Sequence, residues 1–321
     1  MGAGAGAGTM RAVVLRRFGG PGQLRTESVP QPAPREGESV IDVTLAGLNF
    51  ADLEIRQGAY APPPLPAVLG VDVVGRRRSD GRRVAALLRE GGGYAQAAVA
   101  RDAYTVDVPD HIDDAQALGL LEQGCTAYGA LVTAGRLRPG ESVAVAAAAG
   151  GVGHLAVQLA LALGARTVAG IASTPAKRRF VRSLGARVAV GAPERLSAEL
   201  PEGVDLYLDS VGGPALRAGL AALAPFGRLV TIGERGAGPG SSVPVEELTG
   251  RSVGVHGFWM RHVLADPALF ARTADALFAL AGRGLVRARV DRVVPLDGVG
   301  AAHEAMAARA TLGKVLVDVR A

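Results

Sequence analysis

One stretch constrains this chain more than any other: Ala147-Ala148-Ala149-Gly150-Gly151-Val152-Gly153, set between two apolar segments of different character. Before it, residues 142–146 are short and apolar and follow a Pro139-Gly140 turn, as a buried strand does. After it, residues 154–162 read as a mostly buried helix. A strand that turns on glycines into a helix N-terminus lets backbone approach a phosphate closely, and the helix end offers free N–H groups and partial positive charge. The predicted ligand is therefore a dinucleotide, with Gly150, Gly151, Val152 and Gly153 against its pyrophosphate.

The second strand, at 166–171, indicates which dinucleotide. Where an NAD site places Asp or Glu against the ribose 2′-OH, this chain continues Ala172-Ser173-Thr174-Pro175-Ala176-Lys177-Arg178-Arg179. Two hydroxyls and several cations suit a 2′-phosphate, and each hydrogen bond to a charged group contributes roughly 1.5–3 kcal/mol. NADPH is the expected cofactor, with Ser173, Thr174, Lys177 and Arg178 as its selective contacts. The competing explanation is a solvated helix start with a hydroxyl N-cap.

Strands alternate with helices from residue 143 onward: 143–146, 167–171, 187–190, 204–208, 228–232 and 252–258, separated by helices at 154–163, 176–184, 193–200 and 214–224. That alternation predicts a parallel sheet wound on both faces. Residues 10–121 read instead as a mostly β unit, with strands at 11–15, 39–45, 84–88, 94–100 and 104–108. Helical segments follow at 114–118 and 126–137. A helix at 266–282, a strand at 289–295, a helix at 299–309 and a strand at 313–319 close the chain. Their final pieces are expected to complete the first domain.

A chain of 321 residues fits two domains. The net charge of +5 is scattered, apart from Arg76-Arg77-Arg78 with Arg82-Arg83 and Lys177-Arg178-Arg179. Neither cluster is interleaved with aromatics, so no nucleic acid is expected. The single cysteine, Cys125, excludes an internal disulfide and a Cys-rich zinc lobe and fits a reducing, cytoplasmic setting. Residues 1–9 lack the pattern of a signal peptide and read as a flexible tail, with Met10 as an alternative start. The apolar stretch 143–165 fits a strand-turn-helix better than a membrane span, because it carries glycines, His154 and Gln158. The five histidines form no constellation.

Several segments together resemble the zinc-independent quinone oxidoreductase branch of the medium-chain dehydrogenase/reductase superfamily. They are residues 11–21, the segment Ala46-Gly47-Leu48-Asn49-Phe50-Ala51-Asp52 with Arg56-Gln57-Gly58-Ala59-Tyr60, Gly124-Cys125-Thr126-Ala127-Tyr128, the glycine turn with residues 156–160, Asp209-Ser210-Val211-Gly212-Gly213, and Gly313-Lys314-Val315. The resemblance implies an α/β fold: a GroES-like, mostly β catalytic domain (10–122 and 264–321) and a Rossmann cofactor domain (123–263). It implies cofactor contacts from Thr126, Gly233, Phe258 and Lys314 besides those above. Zinc-dependent relatives carry Cys, His and usually Cys where this chain has Asn49, Val71 and Glu122, so no metal is expected.

Hydride transfer to a quinone or an α,β-unsaturated carbonyl is the implied chemistry. Donors beside the carbonyl oxygen stabilise its developing charge. Asn49 and Tyr60 are the candidates, by resemblance near the nicotinamide, with Tyr60 also a proton source and Asp52 an orienting group. A turn or cap role for Asn49, and a wall role for Tyr60, compete with these assignments. Glu54 stands where several relatives have Tyr and favours a polar substrate. Ala147 replaces a usual glycine, a change tolerated if its φ stays negative. Two other functions remain open: an enoyl reductase or other tailoring enzyme on a polyketide-like intermediate, and a non-catalytic NADPH- or RNA-binding protein. The loops 60–66, 88–93 and 234–265 are expected to shape the substrate site. A homodimer through the edge strand 252–258 is suggested by resemblance and by that strand's sequence.

Overall fold

In the computed structural model, described here for residues 8–233 and 242–321, the chain forms two compact units. Residues 1–7 of the tail expected at 1–9, and residues 234–241 of the substrate loop, lie outside the described residues, and Thr9 already begins a strand, paired with Pro30. One unit comprises residues 1–122 with 289–321, the other 123–288. The return crossing therefore differs from the expected one at 264: the helix Pro267–Gly282 belongs to the second unit. Its buried face of Phe270, Ala274, Leu277 and Phe278 repeats at helical spacing.

The first unit has two sheets. Leu24–Pro30, Thr9–Leu15 and Ala67–Val68 form a small one. The larger runs Val290–Pro295, Lys314–Asp318, Glu38–Leu48, Asp72–Arg77, Arg83–Leu87, Thr105–Asp107, and Ala97–Arg101 also pairs with Glu38–Leu48. Only Val290–Pro295 with Lys314–Asp318 is a parallel pair; the rest are antiparallel. Val13, Ile41, Leu48, Val73, Tyr94 and Val315 are among the residues of its core. The turn after Asp72–Arg77 is as tight as the spacing of Gly75 and Gly81 requires: Arg77 N donates to Arg82 O, and Gly81 takes φ +70°.

The second unit holds a six-stranded, wholly parallel sheet in the order Val188–Val190, Thr167–Ile171, Ser142–Val145, Val204–Asp209, Leu223–Thr231, Gly254–Gly257. Numbered along the unit, that order is 3-2-1-4-5-6, the doubly wound order of dinucleotide-binding sheets. Ser142–Val145 adjoins Val204–Asp209 at the point where the winding reverses, so ligands belong outside its carboxyl end. The expected break between helices near 119–125 is absent: Asp114–Tyr128 is one helix, continued by a π-helical turn at Gly129–Ala134. No helix among the described residues is long and apolar enough to cross a membrane.

Candidate active site

In the second unit, the helix Gly151–Ala162 starts directly after the glycine turn. The first amides of a helix have no intrahelical acceptor, and Gly150, its N-cap, supplies no side-chain oxygen. Packing explains two of the glycines. A Cβ on Gly153 would sit 2.4 Å from Ala147 O, and one on Gly151 would meet the Gln123 side chain at the same distance. The turn is thus tightly packed from behind, and its first-turn N–H groups remain for an anion. His154 Nδ1 lies 2.9 Å from Gly150 O, a local contact within this turn. Ala147 departs from expectation: its φ is +46°. The turn demands the left-handed conformation there, and alanine adopts it against the usual steric preference.

At the end of the neighbouring strand, Ser173 and Thr174 are exposed. Thr174 Oγ1 accepts from Lys177 N at 3.2 Å, so it caps the helix Pro175–Ser183. Arg178 folds back onto the strand end, where Nη1 donates to Ala172 O at 3.2 Å and Ser173 O at 3.1 Å. Cap and cation cluster coexist here, since the cap uses only the threonine oxygen. Thr126 is nearly buried in the helix Asp114–Tyr128. Phe258 lies over Gly129, where a Cβ would come within 2.3 Å of its ring. Gly233 takes φ +146° at the limit of the described segment.

In the first unit, sheet register brings together residues far apart in sequence. Leu48 pairs with Val315, which sets Asn49 beside Lys314. Ala46 pairs with Val73, which sets Gly47 beside Asp72. A Cβ on Gly47 would meet the Asp72 carboxylate at 2.3 Å, so glycine makes room for that side chain. The three polar groups close a ring. Lys314 Nζ donates to Asn49 Oδ1 and to Asp72 Oδ2, each at 2.8 Å. Asn49 Nδ2 donates to Asp72 Oδ1 at 2.6 Å. Lys314 and Asp72 have no exposed side-chain surface, and Asn49 is 3% exposed.

Lys314, by resemblance a cofactor contact, is placed otherwise. The structure commits its ammonium to a buried carboxylate and amide, because the register places it at a core position of the strand Lys314–Asp318. Sequence reasoning missed Asp72 altogether. Its only local signal is a carboxylate interrupting the apolar run Val71 to Val74.

A second set of bonds fixes the Asn49 backbone. Asn49 is the N-cap of the helix Phe50–Gln57, and Asp52 Oδ2 accepts from Asn49 N at 2.9 Å. The same oxygen accepts from Tyr94 Oη at 3.0 Å, while Asp52 Oδ1 accepts from Gly70 N at 3.2 Å. Burial pushes the Asp52 carboxyl up to about 6, against the bond from Asn49 N, which favours its charged form. Burial and the neighbouring Asp52 raise the Tyr94 hydroxyl well above its ordinary range. Asp52 therefore orients Asn49 through the backbone. Tyr60 and Glu54 are partly exposed, Tyr60 beyond the C-terminus of that helix. Among the described residues, no group of three His, Cys, Asp or Glu is arranged to hold a metal ion.

A family profile described as zinc-binding dehydrogenase matches residues 151–278, and one described as alcohol dehydrogenase GroES-like domain matches residues 35–110. The synaptic vesicle membrane protein VAT-1 homolog of Rattus norvegicus is 33% identical over 340 residues, covering 96% of this chain and 84% of its own length. A quinone oxidoreductase of Pseudomonas aeruginosa is 33% identical over 325 residues, covering 96% of this chain and 99% of its own. The quinone oxidoreductase of Thermus thermophilus, whose structures include a complex with NADPH, superposes with a TM-score of 0.87 at 38% identity, over 97% of this chain and 100% of that one. With its GroES-like domain, its Rossmann domain and these relatives, the chain belongs to the quinone oxidoreductase branch of the medium-chain dehydrogenase/reductase superfamily.

Proposed function

We propose that this oxidoreductase uses NADPH to reduce a quinone or an α,β-unsaturated carbonyl compound, without a metal. The observation that carries the reading is the uncapped helix start behind Gly150, with a neighbouring strand Thr167–Ile171 that is followed by Ser173 and the Lys177–Arg178 pair rather than by a carboxylate. Gly151, Val152 and Gly153 hold the pyrophosphate with backbone N–H groups, while Gly150, whose own N–H donates to Ala147 O at 2.8 Å, lets it approach by having no side chain. Ser173, Thr174, Lys177 and Arg178 hold the 2′-phosphate. Thr126, Gly233 and Phe258 complete the cofactor contacts. Bound NADPH supplies the hydride; the protein positions the reactants and stabilises charge.

On the acceptor side, Asn49 and Tyr60 donate to the carbonyl oxygen, and Tyr60 gives it a proton. Metal assistance is set aside on residue type alone: Val71 has no donor atom where zinc-dependent relatives have His. Two copies associate through the edge strand Gly254–Gly257, whose outer side no strand among the described residues covers.

Titration with NADPH and NADH, followed by quinones, enones and enoyl thioesters under absorbance of the reduced nicotinamide, tests the reading. NADPH-selective binding with turnover of quinones or enones is expected, and Arg178→Ala should reduce the preference for NADPH over NADH about tenfold or more. Turnover of enoyl thioesters alone would assign the chain to the tailoring enzymes. Tight NADPH binding without any turnover would favour a binding protein, and failure to bind either nucleotide would overturn the reading.

A further inference from the structure

We propose that Lys314 and Asp72 are positioning residues for Asn49: the buried ion pair fixes which end of its amide faces which way and strengthens that amide as a donor. The proposal rests on Asn49 acting as a donor to the acceptor carbonyl.

The two ends of an asparagine amide have nearly the same shape, so packing alone distinguishes them poorly. The ring of bonds distinguishes them absolutely. An ammonium only donates and a carboxylate only accepts. Asn49 Oδ1 must therefore face Lys314 Nζ, and Nδ2 must face Asp72, as the 2.8 Å and 2.6 Å contacts show. A flipped amide would set N–H against a cation and C=O against an anion, with no water to screen either, because all three groups are buried.

One Nδ2 hydrogen goes to Asp72 Oδ1, which turns the second toward Gly47 O, a long contact of 3.5 Å that an acceptor carbonyl displaces when Asn49 donates to it. A cation on Oδ1 also draws electron density from the amide nitrogen, and linked bonds polarise one another at low dielectric. Donor strength and donor direction are the two properties that stabilisation of a developing oxyanion requires.

Stability alone is a poor reason for the arrangement. A buried ion pair exchanged for well-packed apolar groups is often neutral or better. The sheet nevertheless builds around it, with Gly47 lacking a Cβ where the Asp72 carboxylate lies. In zinc-dependent relatives, by resemblance, the position of Asn49 belongs to a metal ligand. Here an internal ammonium supplies the fixed positive charge next to that position.

The test is a double-mutant cycle on the full chain between Asn49→Ala and the pair Lys314→Met/Asp72→Asn, which leaves no unpaired charge buried. Lys314→Met alone strands the Asp72 charge and serves only as a melting-temperature control. In the wild-type background, removing the pair should lower kcat for the best acceptor about 10- to 100-fold, with the NADPH Kd unchanged. In the Asn49→Ala background it should lower kcat no further. Equal losses in both backgrounds, or no loss in either while Asn49→Ala is impaired, would overturn the positioning role and leave Asn49 as donor. Full kcat in Asn49→Ala would remove the donor reading itself, and the proposal with it. Independently of turnover, the Asn49 side-chain amide signal of the nucleotide-free protein, identified by its loss in Asn49→Ala, should shift and exchange faster in the pair variant. An unmoved signal would also overturn the proposal.

Discussion

His303 is wholly buried, edge-on to Tyr94 at 6.1 Å between ring centroids, and neither ring nitrogen finds a hydrogen-bond partner among the described residues. Burial, and then the charge of Arg56, bring its imidazole from 6.5 down to about 3. Between those values the unfolded chain takes a proton that the folded chain refuses, so stability is lost as pH falls. Asp52 acts in the opposite sense. Raised by burial from 3.8 to about 6, it keeps a proton that the unfolded chain releases, so stability is lost as pH rises through that window. The His303 displacement is the larger, and the melting temperature of the native protein should rise from pH 4 to 6. His303→Phe should flatten that slope, because the Asp52 effect is then opposed only by depressed carboxyls such as those of Glu27 and Asp205. A variant whose melting temperature rises as steeply with pH as the native protein's would show that His303 does not govern the dependence. Neither group signals its state in sequence. His303 reads as one isolated histidine in a helix, and its burial depends on Tyr94, more than 200 residues earlier.

At the scale of elements, the turn from Ser142–Val145 into Gly151–Ala162 was legible because its signals are local: an apolar strand, a run of glycines, a helical period. The six parallel strands were legible for the same reason, each lying next to its own helix in sequence. Leu24–Pro30 and Asp72–Arg77 were not anticipated. The first carries Arg25, Thr26, Glu27 and Ser28 and is a strand only because Thr9–Leu15 pairs with it along its whole length. The second is held between Glu38–Leu48 and Arg83–Leu87. Long-range pairing made these strands, and it also moved Lys314 from an expected cofactor contact into the core.

Ala147 shows a limit of a different kind. Its identity suggested a relaxed backbone, whereas the turn imposes φ +46°. Ala147→Gly should therefore stabilise the protein by about 1 kcal/mol, read as a higher melting temperature. An unchanged or lower value would mean that the greater freedom of glycine in the unfolded chain offsets the relief.

At the scale of the whole molecule, the exposed edge Gly254–Gly257 is the feature with consequences for assembly. Phe258 N donates inward to Thr231 O, so by the alternation of a parallel strand the N–H of Val255 faces outward. Val255→Pro removes that donor while keeping an apolar side chain. Sedimentation or size exclusion should report a dimer for the native chain and a monomer for the variant, with the far-ultraviolet circular dichroism retained. A variant that remains dimeric would exclude pairing through this edge.

The first unit's large sheet also has a history in time. Asp72 accepts from a lysine 242 residues further along the chain. At about 5–20 residues per second, the ribosome delivers that partner on the order of 10–50 s after the carboxylate. For most of the interval the nascent N-terminal unit lacks Val290–Pro295, and throughout it lacks Lys314–Asp318 and the counter-charge for its buried acid. The cofactor unit, continuous in sequence, emerges whole in the meantime. Synthesis thus finishes the nucleotide-binding half first, and a newborn chain gains its completed Asn49 site only as its last strand leaves the exit tunnel.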